Sequence, residues 1–181
     1  MRAVVIVSSK TGNTYKIARF VQKGFGYDCS LKRIEDQADL SAYDIVMVGF
    51  WLDSGHVDHD ALALLKSLKF KKVGIFGTLG GDPKSEAAAE VLQSAVDALN
   101  EGSRGNLLLG AFLVQGKISC SVLNMLHEKF PHLKQDQKHL QRIAEASAHP
   151  DAYDRIKALL NGQHWRQKAL KITAKGYGNG F

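Results

Sequence analysis

Four stretches of the chain are apolar almost without interruption: residues 3–7 (AVVIV), 45–50 (IVMVGF), 73–77 (VGIFG) and 107–114 (LLLGAFLV). A strand with one wet face alternates polar and apolar side chains, because successive residues point to opposite sides. These four scarcely alternate. Both of their faces must be covered, which is the pattern of a parallel sheet held between two layers of helix. A weaker segment, residues 28–34 (DCSLKRI), reads as an edge strand.

Helical stretches fill the intervals. Residues 14–23 put Ile17, Ala18 and Val21 on one face, and Gly24 and Gly26 follow. Residues 59–68 are rich in Leu and Ala, and Asp82-Pro83 predicts the cap and first turn of a helix running to about residue 99. Residues 119–130, 137–148 and 150–160 are expected to be helical after the last strand. Strands alternating with helices imply a doubly wound α/β domain. The expected division is a domain over 1–162 and a basic, Gly-rich tail over 163–181.

At 181 residues the chain can close a sizeable core, and 45% apolar with 23% charged residues is ordinary for a folded globule. No apolar run reaches the roughly 20 residues of a membrane span, so no membrane association is expected. The start of the chain lacks a cleavable signal pattern. Cys29 and Cys120 stand outside any metal or redox spacing, which suits a reducing compartment and predicts a cytoplasmic location. The net charge of +6 raises nucleic acid as a partner, but its clusters are not interleaved with any nucleic-acid module. A solvated basic surface with a partly loose tail is the preferred reading, because residues 163–181 hold Arg166, Lys168, Lys171 and Lys175 and no acid.

In sheets of this kind ligands bind outside the carboxyl ends of the strands. Three loops therefore matter. The first, SSKTGNT over residues 8–14, leads from strand to helix and combines hydroxyls, an amide and Gly12. Free backbone N–H groups and the helix dipole suit an anion there. The triphosphate pattern G-x-x-x-x-G-K-[ST] and the dinucleotide pattern G-x-G-x-x-G are both absent, which leaves a cradle for a terminal monophosphate or an ordinary helix cap. The second loop carries Trp51, Asp53, Ser54 and Gly55, and a tryptophan at the sheet mouth either stacks a flat heterocycle or closes the core. The third, Thr78-Leu79-Gly80-Gly81, is nearly bare, so its backbone can lie against a ring edge or simply turn into the next helix.

Ser9-Lys10-Thr11-Gly12-Asn13-Thr14 resembles the [ST]-x-T-G-x-[ST] phosphate loop of flavodoxins, at the same place between first strand and first helix. FWLDSGHVD, KKVGIFGTLGGDPKSE and LVQGKIS are similar to a subset with W-x-D-x-G and F-G-T-L-G loops, some of it encoded beside bilirubin reductases. The resemblance implies a five-stranded flavodoxin-like sheet in the order 2-1-3-4-5 with extra C-terminal helices. It implies non-covalent FMN, with Ser9, Thr11, Gly12, Asn13, Thr14 and the Lys10 backbone on the phosphate. Trp51 would cover one ring face, Leu52, Asp53, Ser54 and Gly55 would border the reactive edge, and Thr78, Leu79, Gly80 and Gly81 would line the pyrimidine side. Many flavodoxins stack a third-loop tyrosine on the other face, and this chain has none.

The implied activity is electron transfer between a reductase and an acceptor enzyme. The alternatives are an NAD(P)H-dependent FMN or quinone reductase and a non-redox binding module. No acid–base catalytic residue is expected, since the cofactor carries the chemistry. Glu35, Asp36, Asp53, Asp58, Asp60 and Asp82 fall on the expected cofactor edge, against Lys10, Lys84 and Lys117. Lys66, Lys69, Lys71 and Lys72 fall on the opposite one, so an acidic mouth and a basic back are expected. His56 and His59 beside Asp58 and Asp60 make only a weak metal pattern, and no metal is expected.

Overall fold

A computed structural model describes residues 1–26, 28–101 and 105–177. Five parallel strands form the sheet: β1 (Ala3–Val7), β2 (Cys29–Arg33), β3 (Ile45–Asp53), β5 (Lys72–Leu79) and β6 (Leu107–Gln115). Their order is β2-β1-β3-β5-β6, which is 2-1-3-4-5 when the parallel strands alone are numbered. A two-residue strand, β4 (His56–Val57), pairs antiparallel with the end of β3. It is too short to be read from sequence.

The unbroken apolar runs feed two cores, one on each face. Val5, Val7, Ile45 and Met47 meet α1 (Asn13–Phe25) and α6 (Ala152–Tyr177). Val4, Ile6, Val46, Val48 and Phe50 meet α2 (His59–Ser67) and α3 (Glu86–Glu101). After β6 the chain makes an excursion through α4 (Cys120–Lys129), a 3₁₀ turn at Pro131–Lys134 and α5 (Gln137–Ser147) before α6 begins. From Cys120 to Ser147, Ala146 alone is buried. The excursion lies outside both cores.

Two expectations change. Asp82-Pro83 opens a turn rather than α3: Lys84 N–H donates to Asp82 Oδ1 at 2.8 Å and Ser85 N–H to the Asp82 carbonyl at 3.2 Å. Ser85 then takes over as the cap, its Oγ accepting from Ala88 N–H at 3.3 Å. The second change concerns the tail. The division drawn at residue 162 falls inside α6, which runs on to Tyr177 and buries Trp165 and Ala169 completely. Residues 178–181 lie outside the described residues.

Two of the basic residues placed in that tail, Arg166 and Lys168, are fasteners, and Lys157 earlier on the same helix is another. β6 is an edge strand, and an edge leaves carbonyls without ladder partners. Lys168 Nζ donates to the Leu108 and Leu109 carbonyls at 3.0 and 2.9 Å, and Lys157 Nζ to the Leu113 carbonyl at 3.1 Å. Arg166 Nη1 donates to the Phe25 carbonyl at 2.7 Å, closing the end of α1. Lys71 and Lys72 do similar work at the amino edge of the sheet, donating to the Leu40 and Tyr43 carbonyls and to Thr173 Oγ1.

α6 approaches this closely because the contacts are glycines. A Cβ on Gly24 would fall on the Leu159 carbonyl, and one on Gly162 on the Val21 carbonyl. Gly74 and Gly110 leave the hollow that the Trp165 ring fills. Backbone on backbone has little room to yield. Gly24→Ala is therefore expected to cost about 1–3 kcal/mol, as overpacking of a dense core does. Urea denaturation checks this, and an unchanged midpoint would disprove the close crossing.

Candidate functional site

Every parallel strand ends at the same edge, so the loops after β1, β3 and β5 converge there. The first loop leaves β1 at Ser8 and enters α1 at Asn13. Gly12 takes φ 86°, a left-handed conformation that glycine adopts without strain, and the space where a Cβ would sit is open. The backbone N–H groups of residues 9–14 have no acceptor among the described residues, and they stand at the positive end of the α1 dipole.

The side chains of this loop divide. Lys10 and Thr11 are exposed, and Ser9 is half-buried with its Oγ accepting from Tyr15 N–H at 3.2 Å. Asn13 and Thr14 point inward. Asn13 Nδ2 donates to the Lys117 carbonyl at 2.8 Å, and the Thr14 hydroxyl shares a hydrogen bond with the Thr78 hydroxyl at 2.9 Å, both buried. These two side chains brace the loop against its neighbours, and the donors the loop leaves open are mainly its peptide N–H groups.

The second loop is a tight hairpin. Asp53 pairs with His56 across Ser54-Gly55, whose φ angles are 52° and 85°. Two successive positive values are those of a type I′ turn, which matches the twist of the strands it joins. Asp53, Ser54 and Gly55 are exposed at its tip, while Trp51 and Leu52 are half-buried on opposite faces of β3. Lys10 Nζ lies 4.9 Å from the centre of the Trp51 ring, a cation–π distance. The third loop differs from expectation. Thr78 and Leu79 belong to β5 and are buried, because β5 stays paired with β6 as far as Leu79 and Gln115. Only Gly80 and Gly81 emerge, and a Cβ on Gly81 would meet nothing.

Two contributors were not singled out from the sequence as site residues. The segment after β6 closes the far side, with Ile118 so near Gly80 that a Cβ there would sit 2.5 Å from its Cγ1. The other is Asp58, counted among the acidic mouth residues. It is buried instead. Its Oδ1 accepts from Ser8 Oγ at 2.8 Å and from Ala61 N–H at 3.2 Å, and its Oδ2 accepts from Trp51 N–H at 3.2 Å. The only sequence signal for this was its position just before His59, as the cap of α2. The remaining acids, Glu35, Asp36, Asp53, Asp60 and Asp82, are exposed as expected.

His56 and His59 do not come together with acids as a metal group. Among the described residues that geometry occurs at the start of α6, in His149, Asp151 and Asp154. There the carboxylates already cap the helix, Asp151 Oδ1 accepting from Asp154 N–H at 2.9 Å and Asp154 Oδ2 from Asp151 N–H at 3.0 Å, with His149 Nδ1 also on Asp154 Oδ2.

Burial pushes the Asp58 carboxyl above the usual carboxylate range, against the pull of its three donors. The folded chain then holds the proton more tightly than the unfolded one. The stabilisation this gives is complete below about pH 4 and disappears as pH rises through the raised value. Wild type is thus expected to lose stability relative to Asp58→Asn as pH rises above the ordinary carboxylate value of about 4. Urea midpoints of both proteins measured over that rise check it, and a constant gap would contradict it.

The family model described as a flavodoxin domain matches residues 4–160. The chain is 28% identical over 177 residues to the flavodoxin-like domain-containing protein BilS of Clostridioides difficile, covering 93% of this chain and 98% of that protein. It is 27% identical over 178 residues to the protein of the same name from Clostridium symbiosum, covering 85% and 90%. The oxidised flavodoxin 2 of Bacillus cereus superposes with a TM-score of 0.60 at 18% identity, over 93% of this chain and 99% of that one.

Proposed function

The chain belongs to the flavodoxin family, and from that membership we propose that it holds FMN without a covalent bond and carries electrons from a reductase to an acceptor enzyme. The observation that supports this best is the row of open peptide N–H groups over residues 9–14, with clear space at Gly12. A phosphate dianion needs several donors in a concave arrangement and gains from the helix dipole behind them. The residues present fit that demand. The exposed Thr11 hydroxyl adds a side-chain donor, and Lys10 adds the nearby positive charge.

The ring end fits as well. Trp51 offers a half-exposed face, and Gly55 and Gly81 leave open space on either side of the mouth. Bound FMN would supply one- and two-electron chemistry, with the protein supplying position and field. Asp53 and Ser54 at the hairpin tip border the mouth, and the exposed acids around it disfavour added negative charge on a bound ring. The same acids would steer a partner with a basic patch, more strongly at low salt. No helix among the described residues is long and apolar enough to cross a membrane.

One observation favours a second reading. The third loop presents only Gly80 and Gly81, so nothing there stacks on the outer ring face and a substrate has room to reach it. That is the arrangement an NAD(P)H-dependent FMN or quinone reductase needs. The purified chain is expected to take up FMN and turn yellow, with negligible NAD(P)H oxidation by the loaded protein under anaerobic conditions. Rapid NAD(P)H oxidation would select the reductase, and failure to take up FMN would end both readings.

The two threonines of the loop separate binding from folding. Thr11→Ala is expected to weaken FMN binding about tenfold, the loss of one hydrogen bond to a charged group, and to leave the melting temperature unchanged. Thr14→Ala strands the buried Thr78 hydroxyl and is expected to cost about 1–3 kcal/mol of stability. Flavin fluorescence titration and thermal melts check the pair, and equal effects of both changes on melting would refute the division.

A further inference from the structure

We propose that Asp58 is a positioning residue that couples the two halves of the site, fixing Trp51 relative to the phosphate loop through one carboxylate. Where it concerns flavin, the inference rests on the FMN reading above. The geometry of the bridge does not.

Asp58 touches three elements at once. Its Oδ1 accepts hydrogen bonds from the hydroxyl of Ser8, the first residue of the loop, and from the N–H of Ala61 in the first turn of α2. Its Oδ2 takes the N–H of Trp51. The backbone closes the same circuit, since Asp58 N–H donates to the Trp51 carbonyl at 3.1 Å and Ser8 N–H to the Gly49 carbonyl at 2.9 Å. Ser8 and Asp58 are each only 4% exposed, so these bonds do not compete with bulk water.

A helix cap needs only one carboxylate oxygen and one N–H. The other two bonds of Asp58 contribute nothing to α2. They join the root of the loop that faces the phosphate to the backbone of the residue that faces the ring. A rigid carboxylate with both oxygens engaged transmits a displacement of either end to the other, as second-layer residues do for the groups they hold. FMN bridges the same two ends from outside, so its affinity depends on their separation being set beforehand.

Two substitutions each cut one arm. Ser8→Ala removes the hydroxyl and leaves Asp58 on Trp51 and Ala61. Asp58→Asn keeps a carbonyl oxygen for Ser8 and Ala61 and turns an NH₂ group toward the Trp51 N–H. Coupling predicts crossed effects. In the flavin-free chain, Ser8→Ala should speed amide hydrogen exchange at Trp51 about threefold or more, although it alters no atom bonded to that N–H. In titrations of the full chain, Asp58→Asn should lower the preference for FMN over riboflavin, which lacks the phosphate, by about threefold or more, although the change lies on the ring arm.

Circular dichroism and melting curves establish that both variants fold. Folded variants with Trp51 exchange unchanged by Ser8→Ala, or with the FMN-to-riboflavin preference unchanged by Asp58→Asn, would reduce Asp58 to a helix cap and overturn the proposal. If wild type takes up neither flavin, the FMN reading falls by itself, and the exchange rate at Trp51 in Ser8→Ala decides the positioning role.

Discussion

A parallel sheet sends the carboxyl end of every strand to the same edge. That constraint shapes the rest of the molecule. The strands must be joined by crossovers that pack on the faces, so both faces become core and the loops at one edge are left to meet one another. β1, β3 and β5 are adjacent, and the loops after them lie within side-chain reach. The chain enters α1 from β1 on one side of the sheet and α2 from β3 on the other. The crevice between these loops follows from strand order alone. What fills it is decided by a few side chains: Lys10 over Trp51, Asn13 on the Lys117 carbonyl, and Asp58 beneath them.

Much of this was legible in the sequence, for physical reasons that differ from element to element. The strands could be read because double-sided burial leaves no polar alternation to confuse with a helix. The first loop could be picked out because a strand emptying into small polar residues has few uses, and the structure leaves its peptide N–H groups open. Asp82-Pro83 misled because the same two residues that favour a helix start also favour the first two positions of a turn, and the structure uses the turn. The role of Asp58 was hidden because Ser8 lies 50 residues away in the chain. A carboxylate beside a loop reads as mouth charge until the fold turns it inward.

The last helix was obscured for another reason. Among its described residues the buried apolar side chains are Ala158, Trp165 and Ala169, and its close contact with α1 is made by Gly162. Small residues carry little weight in an apolar pattern, yet they are what a close helix crossing requires. With its apolar signal thin and its lysines conspicuous, the segment looks like a solvated tail. Two of the helix's lysines, Lys157 and Lys168, are in fact turned along the sheet edge and onto carbonyls of β6, where their stems cover apolar surface. Net charge thus says little about partners when several of its members are consumed inside the fold.

Placing Trp165 on the final helix has a bearing on how the polypeptide matures during synthesis. The ribosome delivers β1, β3, β5 and β6 before it delivers the ring that seals one of their faces. Until α6 emerges, that side is covered only by α1, and the hollow over Gly74 and Gly110 stays bare to solvent. Between the synthesis of Gly110 and that of Trp165 the nascent chain therefore carries a half-closed sheet, with apolar surface that only the last helix covers.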